Sequence, residues 1–321
     1  MLGIVATHTE GYFARSPMVS SLSVLQIGAV DCFILITGYF GISREKIVHK
    51  ILSISLLTIF YNVFFVLLLG HNGNFVYDLF KACYITGPVC FNYWFVSKYL
   101  ALVLLAPFLN ILAEQLKGEV YFKFLAVLIM LNITFVYGFP FGDLYGGQTS
   151  LSLFCLLYLT GIGLRRLLTD HKVKLGYTIP ILIFLYFSFY FMQSIGFDQL
   201  SCYNNAFVYS IAIVLFITFS SIHIGEKWSK LISFFSTNVF AVYLIHDNFY
   251  MRSIYMKKIA AFFQFPGGGG ILAFGSFLIT IFCCCVIIDK VRSWLFVRLG
   301  INKAIGSLGN YISAKVMKNV D

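Results

Sequence analysis

Charge is scarce in this chain. Only 11% of its 321 residues are Asp, Glu, Lys or Arg, and 60% are hydrophobic. A water-soluble domain of this size has no use for so much apolar side chain, so a free globule is excluded. Short alternating segments, the mark of a transmembrane barrel, are missing. The apolar runs are instead continuous and about 20 residues long, the length a helix needs to cross roughly 30 Å of hydrocarbon. No internal repeat is visible, which removes the inverted-repeat signature of many transporters. The run Gly267 to Gly270 after Pro266 lacks the lysine and Ser/Thr of a phosphate loop, and reads as a flexible outer turn. Of the eight cysteines, Cys32, Cys155, Cys283, Cys284 and Cys285 fall in predicted spans, where cysteine acts as a small hydrophobe. The triplet cannot converge on one ion, because adjacent helical side chains point about 100° apart. No metal site is expected. Cys83 and Cys90 share a predicted outer loop and could pair.

What is present is an all-α membrane protein of about ten transmembrane helices. Complete spans are predicted near residues 20–42, 47–70, 92–113, 121–139, 149–166, 177–196, 204–222, 237–255 and 270–289, after an apolar stub at 1–8. Loops alternating with these spans divide the 23 Lys and Arg residues unevenly. Seventeen fall on one side and five on the other, with Lys98 inside a span. That asymmetry places the C-terminus in the cytoplasm. The net charge of +10 is thus mostly topology, and no nucleic-acid partner is required. Residues 1–291 form the expected membrane domain. Residues 292–321 form a basic amphipathic tail along the inner leaflet. Eight residues of helix rise only about 12 Å, so the stub is expected to be the outer end of a helix that starts before Met1.

Ionisable groups inside a bilayer are functional candidates by default. His8 ends the stub as an interfacial histidine or as a base suited to proton transfer near neutrality. Asp31, midway along its span, either locks two helices or orients a histidine and receives a hydroxyl. Lys98 can snorkel to the interface. The run AVYLIHDNFYMR, from Ala241 to Arg252, sets His246, Asp247 and Asn248 side by side. Helical spacing would put Tyr243, His246 and Tyr250 on one inward stripe, with Asp247 on its flank. That face is a buried network or a seat for a polar, ring-shaped ligand such as a sugar. On the inner side, GISREKIVHK offers Arg44, Lys46, His49 and Lys50. They are topology determinants at least, and a possible seat for phosphates of a cytoplasmic ligand.

These segments together resemble the bacterial acyltransferase-3 family of integral membrane enzymes that O-acylate surface polysaccharides. The carriers are VDCFILITGYF, with Thr37 at the usual serine position; the basic segment Ser43 to Lys50; NYWFVSKYLALVLLAPFLNIL, where Lys98 replaces an apolar residue; LFCLLYLTGIGLRR; and STNVFAVYLIHDNFYMR, which is similar to the exopolysaccharide branch. The match runs from the stub to about Lys290. The resemblance implies a ten-helix bundle in the bacterial inner membrane. It implies transfer of an acetyl or small acyl group from cytoplasmic acetyl-CoA to a sugar hydroxyl. The acceptor would be a polysaccharide or a lipid-linked oligosaccharide. Acetyl-CoA would be a co-substrate rather than a resident cofactor. His8 matches the essential histidine of the first helix; the basic residue about eleven positions before it would precede Met1.

The chemistry needs a base near the hydroxyl, donors for the thioester oxyanion and a dry passage for the donor's arm. His8 is expected to deprotonate the acceptor hydroxyl or to carry the acyl group, with Asp31 orienting it or binding the sugar. Arg44, Lys46 and Lys50 are expected to hold the donor's phosphates. Trp94, Tyr243, His246, Asp247 and Asn248 are expected on the acceptor side. A homo-oligomer is possible. The rival readings are a polysaccharide or lipid-linked sugar transporter or flippase, and an inactive partner in a polysaccharide assembly complex.

Overall fold

Hydrocarbon offers no partner to a backbone N–H or C=O, so an apolar chain in lipid satisfies its backbone within helices. The computed structural model describes residues 1–7, 17–70, 75–83, 93–133, 149–170, 173–197, 202–252, 254 and 269–317. Among these residues the secondary structure is helical, with no strand. The helices are α1 (Leu2–Thr7), α2 (Pro17–Phe40), α3 (Ile47–Leu69), α4 (Phe75–Ala82), α5 (Trp94–Gln115), α6 (Gly118–Asn132) and α7 (Leu151–Asp170). They continue with α8 (Leu175–Ser194), α9 (Ala206–Ser221), α10 (Glu226–Ser236), α11 (Val239–His246), α12 (Gly269–Arg298) and α13 (Ile301–Met317). A 3-10 turn, Arg44–Lys46, precedes α3.

The chain is an all-α membrane protein. Four stretches, Arg44–Leu69, Trp94–Gln115, Leu151–Thr169 and Leu175–Ser194, are long and apolar enough to cross a membrane. A fifth arises if α10 and α11, bent by 41°, count as one span. The other expected spans fall on shorter helices, such as the 16 residues of α9, or run partly outside the described residues. Helix α12 has 30 residues and continues beyond Lys290 to Arg298. No glycine or proline interrupts it there. It stops at Gly300, whose φ of 70° favours glycine.

The chain divides into two compact units. One holds residues 10–42 and 104–224 and is organised by α2, against which α7, α8 and α9 pack. Helices α2 and α7 meet backbone to backbone. A Cβ built on Gly38 would lie 2.0 Å from the Tyr158 carbonyl oxygen, and one on Gly161 would lie 2.3 Å from that of Leu35. Only glycine permits this approach, the usual device for close crossing of membrane helices. Beside it the Tyr158 hydroxyl donates to Asn110 Oδ1 at 2.8 Å and accepts from the Ile42 N–H at 3.1 Å. Asn110 Nδ2 donates to the Ile42 carbonyl at 3.0 Å. Arg166 lies 4.1 Å over the Tyr121 ring and donates to the Leu116 and Ala113 carbonyls. It thereby satisfies acceptors that the end of α5 would leave open.

The other unit holds residues 1–9, 43–103 and 225–321. Helix α1 packs on α11 and α12, burying Val5 fully. Helix α13 packs on α3, and its buried Gly309 faces His49, whose Nδ1 lies 3.4 Å from where a Cβ would stand. Asp289, 2% exposed, ties three elements together. Its carboxylate accepts from the Tyr61 hydroxyl at 2.7 Å, from Arg292 Nε at 2.6 Å and from Asn238 Nδ2. Removing one member of such a buried ionic cluster costs about 3–5 kcal/mol.

Candidate functional site

The predicted 237–255 helix is not continuous. Helix α11 ends at His246; Asp247 forms a turn and Asn248 a bend before helix resumes at Phe249. The side chains explain the break. Asn248 Oδ1 accepts from the Tyr250 N–H at 3.1 Å and so caps the following turn. The Arg252 N–H returns to the Asn248 carbonyl at 2.8 Å. The Asn248 N–H bonds to Ile245 O rather than one residue further back. The Leu244 carbonyl is then satisfied from outside, by the Tyr93 hydroxyl. That hydroxyl also accepts from Asn248 Nδ2 at 3.0 Å. Tyr93 therefore bridges both sides of the break.

His246, Asp247 and Asn248 are 1%, 4% and 0% exposed, so the break is a polar centre inside an apolar unit. His246 Nδ1 lies 2.6 Å from the Val242 carbonyl. A carbonyl only accepts, so Nδ1 carries the proton and Nε2 is the basic nitrogen. Asp247 pairs with Arg252 at 3.3 Å. Arg252 is 38% exposed, so solvent screens part of that attraction. Tyr243 packs edge-on against Tyr93 and Phe95, with ring centres 5.6 and 5.8 Å apart, and against His246 at 6.2 Å. Tyr250, expected on the same stripe as Tyr243, lies beyond the break, and its hydroxyl donates to Asp78 Oδ2 of α4 at 3.2 Å.

Tyr243, His246, Asp247 and Asn248 thus come together. Trp94 begins α5, its ring 6.0 Å from that of Phe95. Its sequence neighbours Tyr93 and Phe95 make the contacts with Tyr243. Tyr93 escaped the sequence reading because nothing distinguishes it among 20 tyrosines.

Arg44, Lys46 and Lys50 sit in the same unit, on the turn before α3 and its first residues. Arg44 and Lys46 are exposed. Lys50 lies 5.3 Å from the centre of the Tyr99 ring, a cation–π contact that steadies its stem. Asp31 belongs to the other unit. It is 2% exposed, and its Oδ2 has no hydrogen-bond partner among the described residues. A buried carboxylate oxygen left so is costly and points to a ligand or a shared proton. His8 lies outside the described residues, as does Cys90, the suggested mate of Cys83.

Comparison with known proteins gives one family. The acyltransferase-3 family model, described as an acyltransferase domain, matches residues 1–290. No curated protein and no solved structure matches the chain.

Proposed function

The chain belongs to the acyltransferase-3 family and is a membrane acyltransferase; from there we propose that it moves an acetyl or other short acyl group from cytoplasmic acyl-CoA to a sugar hydroxyl. The acceptor in this proposal is a surface polysaccharide or its lipid-linked precursor. The setting is the bacterial inner membrane, with the C-terminus cytoplasmic. The observation that carries the reading is the broken helix at Asp247. It holds a buried histidine, carboxylate and carboxamide next to a tyrosine-lined wall, the chemistry that suits a polyhydroxylated ring.

The proposed reaction is direct. The hydroxyl oxygen attacks the thioester carbonyl carbon, a C–O bond forms and the C–S bond breaks. His8 takes the hydroxyl proton and returns it to the departing thiolate, so that free CoA leaves. If His8 instead carries the acyl group, its ring nitrogen attacks the thioester carbon and CoA leaves as the C–S bond breaks; the sugar hydroxyl then attacks the acyl-imidazole, so that the C–O bond forms, the C–N bond breaks and His8 is regenerated. Arg44, Lys46 and Lys50 hold the donor's phosphates. Trp94, Tyr243, His246, Asp247 and Asn248 hold the acceptor, and Asp31 supplies a carboxylate for orientation or a hydroxyl contact.

The broken helix also favours a second reading, since transporters place unwound helices at their substrate sites. Purified protein in detergent separates the two. The acyltransferase is stabilised against thermal unfolding by CoA in a saturable way. A sugar transporter or flippase shows no shift with CoA, and that result would remove the acyl-donor reading.

A further inference from the structure

Asn62 lies in α3 and is 1% exposed. Neither its amide nitrogen nor its carbonyl oxygen has a hydrogen-bond partner among the described residues. The polar groups beside it on α3 are engaged elsewhere. The Tyr61 hydroxyl is held by Asp289 at 2.7 Å, and Thr58 Oγ1 donates to its own helix at Ile54 O at 2.8 Å. A carboxamide that has lost water on both its donor and acceptor sides destabilises the fold. Its presence points to a ligand that offers both complements.

A secondary amide offers both, and the helix indicates where such a ligand runs. At 100° per residue, Ile51, Ser55, Thr58 and Asn62 fall within about 60° of one another. They form a row that rises about 10 Å from Ser55 to Asn62. Asn62 stands about 18 Å along the helix axis from Lys50, among the cations at the inner end. An acyl-CoA carries, between its phosphates and its thioester, a linear arm with two secondary amides. We propose that Asn62 binds one amide of that arm, with Ser55 and Thr58 lying along its track. This rests on the acyl-CoA reading above and adds a donor-specific residue to it.

The test compares two probes on purified protein. CoA carries the arm, and adenosine 3′,5′-bisphosphate carries phosphates without it. Asn62→Leu is nearly isosteric. It should weaken CoA binding about tenfold, the value of a lost hydrogen bond to a ligand amide, and leave bisphosphate binding unchanged. The unliganded variant should unfold at the same or a higher temperature, because an unpaired buried amide has been removed. Asn62→Ala should repeat the split between the probes if leucine fits poorly. Unchanged CoA affinity would overturn the proposal. So would an equal loss for both probes with a lower unfolding temperature, which would mark Asn62 as structural, for instance bound to a buried water. If the wild-type protein binds bisphosphate and CoA equally well, the arm makes no contact and this inference falls alone. If it binds neither, the acyl-CoA reading falls as well.

Discussion

Tyr93→Phe removes one oxygen atom and tests whether the helix break is held as described. In the wild-type protein that hydroxyl donates to the Leu244 carbonyl and accepts from Asn248 Nδ2. The break has already deprived Leu244 O of its usual partner, since the Asn248 N–H turns to Ile245. Phenylalanine therefore strands two buried groups, an acceptor and a donor, at about 1–3 kcal/mol each. The void left by a hydroxyl is small, so a total loss of about 3 kcal/mol is expected. Reversible unfolding in mixed micelles with increasing dodecyl sulfate reads this directly. Asn248→Ala alone should cost about 1–2 kcal/mol, from the cap and the bond to Tyr93. The double variant should lose less than the sum, with a coupling of about 1 kcal/mol. Acceptor turnover should fall in both single variants, because the turn carrying Asp247 is no longer fixed. A loss under about 0.5 kcal/mol for Tyr93→Phe, with additive effects in the double variant, would refute the bridging role.

Further expectations concern the other elements. Gly38→Ala places a methyl 2.0 Å from a backbone oxygen. Helices α2 and α7 must part by about 1 Å, at a cost of about 1–3 kcal/mol in the same unfolding assay. Gly275→Ala, with open space around its Cβ position, should be silent. Arg44→Ala combined with Lys50→Ala should raise the KM for acetyl-CoA at least tenfold while leaving the acceptor KM within about twofold. Equal changes in both would count against the phosphate seat.

Much of the helical layout was legible in the sequence because lipid imposes it. Uninterrupted apolar runs become helices, and the ends of α3, α5, α7 and α8 fall within a few residues of their predicted spans. The glycines in VDCFILITGYF and LFCLLYLTGIGLRR were visible as parts of a family pattern. Their physical reason, the contact of Gly38 with Gly161 across α2 and α7, needed the fold. The break at Asp247 was not legible, because hydropathy runs straight through it. The capping role of Asn248 depends on Tyr93, which is 155 residues away in sequence. The polar trio was found for a sound reason, its cost in lipid, but the helical stripe drawn through Tyr250 required a continuity that the Asn248 cap removes. Asn62 escaped notice because one carboxamide in an apolar span looks like any other until its neighbours are seen to be occupied. Asp289, at the end of a predicted span, joins Tyr61, Asn238 and Arg292, three partners that only the fold brings to it.

Acyl transfer to a hydroxyl is measured by following the acyl group itself. Membranes carrying the protein are incubated with acetyl-labelled acetyl-CoA and the host's polysaccharide or lipid-linked oligosaccharide. Label is expected in the saccharide fraction and is released by mild alkali, as from an oxygen ester. That label is lost in His8→Ala membranes holding the same amount of protein. Label equal to that in membranes lacking the protein, or label undiminished by His8→Ala, would contradict the proposed reaction.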